Sequence, residues 1–69
     1  MDRDDKRVAI MVVANVAHRN NTDISDVIDH ILTTVRPNTY GMLVVEYVRE
    51  CGKASLIEAA ADVYDRTKG

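Results

Sequence analysis

The sequence predicts an all-α fold, a small antiparallel bundle of about four short helices that dimerises. Apolar residues recur at helical spacing, start and stop signals separate the segments, and no hairpin turn joins alternating runs. With 69 residues and no internal repeat or linker, we expect one domain over residues 1–69. Residues 1–5 are expected to form a flexible N-terminal arm.

The composition excludes several classes of protein. A chain that is 46% hydrophobic and 29% charged is too apolar for a disordered tail. The longest apolar run, residues 8–14, falls far short of the roughly 20 residues that span a bilayer, so no membrane segment is predicted. The single cysteine excludes an internal disulfide framework, which predicts a cytoplasmic location. A net charge of −2 argues against a general attraction to nucleic acid or anionic lipid.

The first predicted helix, residues 5–19, is apolar on nearly all sides, so it is central to the bundle or lies in an oligomer interface. A chain this short buries only about 60% of its unfolded surface, which favours a homodimer. Asn15, alone in the apolar run, is a candidate for pairing with its symmetry mate, or else points to solvent. The β-branched residues leave a strand as an alternative for residues 8–14, and also for 42–48. The predicted dimer interface contains Ile10, Val13, Asn15 and Ala17.

The second predicted helix has the clearest apolar stripe. Thr22 or Asp23 is expected to cap its start, and Pro37 to end it. The stripe follows the spacing i, i+3, i+4, i+7, i+8, i+11. It consists of Ile24, Val27, Ile28, Ile31, Leu32 and Val35.

The third and fourth helices are separated by Gly52, which is expected to be the left-handed residue after a helix. Asn38 and Thr39 form the turn and cap before the third helix, residues 40–51. Ser55 and Glu58 have the spacing of a capping box, which places the start of the fourth helix at Ser55. The stripe of the third helix is Tyr40, Leu43, Val44, Tyr47, Val48 and Cys51, and that of the fourth is Leu56, Ile57, Ala60, Val63 and Tyr64.

The sequence contains no pattern that predicts a catalytic residue, a cofactor or a metal site. His18 and His30 lack the spacing of metal ligands, and Asp26 with His30 is interpreted as a solvated i, i+4 pair. Cys51 is expected to be buried and therefore inert. Gly52 and Lys53 resemble the end of a phosphate-binding loop, but the first glycine of that motif is absent. We therefore predict that the chain is not an enzyme.

DNA binding is the alternative function, because the third and fourth helices form a helix, a glycine-containing turn and a helix. The helix that would enter the groove, however, carries Glu58, Asp62 and Asp65, which phosphates would repel. A dimeric transcriptional regulator would have to bring together Arg19, Arg36, Arg49 and Lys53 of both copies.

The predicted function is that of a non-catalytic helical interaction module, a regulator, adaptor or inhibitor. Its predicted partner is a protein with a basic surface, because the outer faces of two helices are acidic. The partner-binding residues are expected to be Glu58, Asp62 and Asp65 on the fourth helix and Asp26 and Asp29 on the second.

Overall fold

The computed structural model describes residues 1–68, and four α-helices account for most of them. They are α1 (Arg3–Asn20), α2 (Ile24–Thr33), α3 (Thr39–Cys51) and α4 (Lys53–Lys68). No strand occurs within these residues, so the segments 8–14 and 42–48 are helical. The prediction of an all-helical fold of four helices is confirmed.

Two of the helices, α1 and α3, start at side chains that accept hydrogen bonds from first-turn amides. Asp2 caps α1 by accepting a 2.9 Å bond from the amide of Asp5, so α1 begins at Arg3, within the predicted arm. Asn38 caps α3 in the same way, with a 2.8 Å bond from the amide of Gly41. Asp23 occupies the cap position of α2, but its side chain makes no capping bond.

The start of α4 differs from the prediction. The helix begins at Lys53, so Ser55 lies inside its first turn and the predicted capping box is wrong. Gly52 alone separates α3 from α4, with φ of 91°, and its carbonyl oxygen already accepts a bond from the amide of Leu56. Because one residue with positive φ makes the whole turn, no room is left for a separate cap at Ser55. The positive φ at Gly52 itself was predicted correctly.

The core contains ten buried hydrophobic residues within the described part of the chain, and α1 contributes four of them. Each helix packs against the other three, and α1 contributes more buried residues than any other, which supports the central position that was one of its two predicted alternatives. Four of the ten are alanines, which allow helix backbones to approach closely. The ten are Ala9, Val13, Ala14, Ala17, Val27, Ile28, Val44, Tyr47, Leu56 and Ala60.

Four residues that were predicted on apolar stripes are exposed, and all of them lie near or beyond helix ends: Leu32, Val35, Tyr40 and Cys51. Cys51 is the last residue of α3 and Tyr40 the second, and both are exposed although they share the face of Val44 and Tyr47. The neighbouring helices do not reach that far along α3. Val35 lies beyond the end of α2 and is 92% exposed. The prediction of a buried Cys51 is therefore wrong.

The early end of α2 has a local cause. The hydroxyls of Thr33 and Thr34 both donate to the carbonyl oxygen of His30, at 3.0 and 2.8 Å. These bonds compete with the helical backbone for that carbonyl. Thr34 then adopts an extended conformation, and the chain leaves the helix before Val35.

Candidate interaction surfaces

The outer side of α4 carries an acidic face, which we define as Glu58, Asp62 and Asp65. All three side chains are exposed, and they line a shallow depression of about 510 Å³ together with Ser55, Ala59 and Ala61. The opposite side of the same helix is held in the core by Leu56 and Ala60, which are fully buried. The acidic face is therefore displayed on a helix whose position is fixed by packing.

The charge of this face is only partly neutralised. Asp62 forms an i, i+4 ion pair with Arg66 at 3.1 Å, in which both side chains are largely exposed. Such exposed pairs contribute little to stability, of order 0.3–0.5 kcal/mol. Among the described side chains, those of residues 1–67, Glu58 and Asp65 make no ion pair. The face thus retains a net negative charge.

The two aspartates of α2 do not form a matching acidic face. Both are exposed, but Asp29 is held by an ion pair with Lys53 at the start of α4. Asp26 instead borders a groove of about 620 Å³ between α1, α2 and the start of α3. The apolar side chains that line this groove are Val12, Val16, Val27, Ile31 and Tyr40.

The four residues predicted for a dimer interface differ in burial and in the groove that they line. Val13 and Ala17 are fully buried within the chain's own core and offer no surface to a second copy. Asn15 is exposed and lines the groove beside α2. Ile10 is half-buried and lies between α1 and α4. These four residues therefore do not share one exposed patch, and the interface itself stays a prediction.

A basic groove that the sequence analysis missed lies between the first half of α1 and the last turns of α4. Its volume is about 750 Å³. Among the residues that the structure describes, four cationic side chains and no carboxylate line it, and its remaining lining is mostly apolar. The lining residues are Arg3, Lys6, Arg7, Ile10, Met11, Val63, Arg66 and Thr67.

Helical geometry explains why this groove was overlooked. Along the sequence, Arg3, Lys6 and Arg7 alternate with aspartates, so the segment looks neutral. In the helix, the spacing i, i+3, i+4 places the three basic residues on one side. Asp2 is used as the cap of α1, and none of the neighbouring aspartates lines the groove. The spacing was a usable signal, but Arg66 joins only through the tertiary structure.

The remaining chemical groups form no additional site. No group of three or more His, Cys, Asp or Glu residues in the described part of the chain is arranged to hold a metal ion. His18 contacts the ring of Tyr64 edge-on, with centroids 5.7 Å apart. None of the helices over residues 1–68 has the length and apolar character needed to cross a bilayer.

Comparison of the chain with protein-family models, with curated proteins and with solved structures found no significant match. The acidic face and the basic groove are therefore interpreted from their own chemistry.

Proposed function

We propose that this chain is a non-catalytic helical interaction module that acts as a regulator, adaptor or inhibitor in the cytoplasm, as a homodimer. Its acidic face binds a protein partner with a basic surface. The observation that supports this is the arrangement of Glu58, Asp62 and Asp65, three exposed carboxylates around one depression on a helix that the core holds in place.

The physical basis of the proposal is electrostatic complementarity. Charges displayed on a rigid helix steer the encounter with an oppositely charged surface and set the register of the complex. Because Glu58 and Asp65 have no ion-pair partner among the side chains of residues 1–67, a basic partner does not have to displace any of those cations from them. Asp26 adds an exposed charge on α2, whereas Asp29 is already paired with Lys53.

The test is affinity capture from the native cell, followed by charge reversal. Asp62→Lys combined with Asp65→Lys should preserve the fold, because both side chains avoid the core, and should abolish binding of the captured partner. The matched control reverses two exposed carboxylates elsewhere, Asp4→Lys with Glu46→Lys, and should retain binding. If the α4 variant binds as well as the parent at low salt, where charge effects are largest, the proposal is wrong.

The second candidate function, a dimeric DNA-binding regulator, is favoured by the basic groove. Four cations around one concavity could contact phosphates. DNA binding ranks second because Arg66 borders both surfaces. The guanidinium of Arg66 lies 3.1 Å from the carboxylate of Asp62, so phosphates bound in the groove would come close to that negative charge and be repelled. Titration of a DNA duplex at several salt concentrations distinguishes the two, since phosphate binding weakens steeply as salt rises.

A further inference from the structure

The basic groove holds positive charge that the described residues leave largely uncompensated. In the described residues, Arg3, Lys6 and Arg7 make no ion pair. Arg66, the fourth cation, is paired with Asp62 in an exposed contact. A groove of about 750 Å³ lined by four cations favours an anionic occupant.

The floor of the groove restricts what that occupant can be. Ile10, Met11 and Val63 lie among the cations, and Met11 is 41% exposed. Burial of this apolar surface stabilises a complex by roughly 25 cal/mol per Å² removed from water. The best occupant therefore combines several carboxylates with small apolar side chains, as an acidic amphipathic helix does.

The chain itself carries a surface of this description. The acidic face of α4 has three carboxylates that extend over eight residues, about 10 Å along the helix. Ala59 and Ala61 line the depression between them, so a second surface can approach closely. We propose that the basic groove is the docking site for the acidic face of a second copy of this chain.

This contact joins two different surfaces, so one contact leaves a groove free on one copy and an acidic face free on the other. Both surfaces include α4 and meet at Arg66, which allows two copies to close the contact reciprocally. The inference builds on the homodimer of the proposed function and adds a consequence. A single contact leaves one acidic face free for the basic partner, whereas a reciprocally closed dimer covers both faces and has to open before the partner binds.

The experiment needs only purified chain and light scattering or sedimentation at low and high salt. The parent should exceed the monomer mass of 7.7 kDa at low salt and approach it at high salt, where exposed charge pairs are screened. Arg3→Glu with Arg7→Glu removes the groove's charge, and Asp62→Lys with Asp65→Lys removes that of the acidic face. Each double variant alone should be monomeric.

Mixing the two double variants provides the decisive result. The first retains an acidic face and the second retains a groove, so together they should form a one-to-one complex. The fourfold variant with all four reversals should self-associate again. The matched control reverses two exposed arginines outside the groove, Arg36→Glu with Arg49→Glu, and should assemble like the parent.

Several outcomes would overturn the inference. These are a parent that remains at 7.7 kDa in low salt at high concentration, a groove variant that assembles like the parent, and folded double variants that fail to combine. Binding of a DNA duplex by a monomeric parent, lost in the groove variant, would assign the groove to phosphate instead. Circular dichroism checks that each variant is folded. If Arg3→Glu with Arg7→Glu unfolds the chain, Arg3→Gln with Arg7→Gln replaces it as the groove variant. A monomeric parent would also overturn the homodimer of the proposed function, whereas a groove variant that assembles like the parent would overturn this inference alone. None of these measurements uses the captured partner, so partner binding by the acidic face is tested separately.

Discussion

Gly41, in the first turn of α3, lies directly against Pro37, and a Cβ atom at position 41 would stand 2.8 Å from the Cβ of Pro37. The amide of Gly41 also donates a 2.8 Å hydrogen bond to the side chain of Asn38. The missing side chain thus lets the turn between α2 and α3 fold back onto the start of α3.

We predict that Gly41→Ala destabilises the protein. Alanine favours a helix over glycine by about 1 kcal/mol, but overpacking against a proline ring typically costs about 1–3 kcal/mol. The net effect should be a loss of stability, measured by urea unfolding. Pro37→Gly removes the opposing Cβ, so Gly41→Ala should cost less in that background than in the parent. Equal costs in both backgrounds would show that the contact is unimportant.

A second prediction compares two valines that the apolar pattern treats alike. Val44 is fully buried, whereas Val35 is 92% exposed. Val44→Ala should lower the free energy of unfolding by about 2 kcal/mol, from lost apolar burial and the cavity that remains. Val35→Ala should change it by less than about 0.5 kcal/mol. Denaturant titration of both variants measures the two free energies of unfolding. A similar decrease for Val44→Ala and Val35→Ala would contradict the burial that the fold gives to these residues.

The exposure of Cys51 predicts its reactivity. An exposed thiol reacts through its thiolate without a prior opening of the structure. The native chain should therefore react with a disulfide reagent at a rate within a few-fold of that of the urea-unfolded chain. A rate that is orders of magnitude slower under native conditions would mean that the thiol is protected.

A fourth prediction concerns the contact between the ends of α1 and α3. The Met1 amino group donates a 2.9 Å hydrogen bond to Oε1 of Glu50, and this bond with the glutamate charge raises the pKa of the amino group above 8.0. The bonded form is protonated, so its contribution to stability is complete below pH 8 and declines as pH rises through the raised pKa.

Stability measured across that alkaline range should fall more in a chain with a free amino group at Met1 than in the Glu50→Gln variant. Because the contact is exposed, we expect the difference to be small and reduced by salt. An identical pH dependence in the two chains would show that the ion pair is not formed in solution.

Much of the fold was predictable from local patterns. The stripe of Val27, Ile28 and Ile31 predicts α2, Asn38 caps α3 as expected, and Gly52 has the positive φ that its position suggests. At Gly52 only the positive φ of 91° was predictable, because its ψ of 152° lies outside the left-handed helical conformation expected there. The other features depend on interactions within one or two helical turns, which a single sequence displays. The acidic face was predictable for the same reason, since Glu58, Asp62 and Asp65 share a face of one helix.

What the sequence alone determined is the helical class of the fold and the faces that α2, α3 and α4 bury, because the 3.6-residue period converts spacing into direction. It left a strand open for residues 8–14 and 42–48, where β-branched residues are frequent. The tertiary structure alone decided how far along each helix the burial extends, which exposes Tyr40 and Cys51 although their positions fit the buried face. The tertiary structure also forms the basic groove, because it brings Arg66 next to Arg3 and Arg7, which lie more than fifty residues earlier in the sequence. The physical reason is that periodicity records rotation about a helix axis, whereas coverage at helix ends and charge across a groove depend on where separate helices meet.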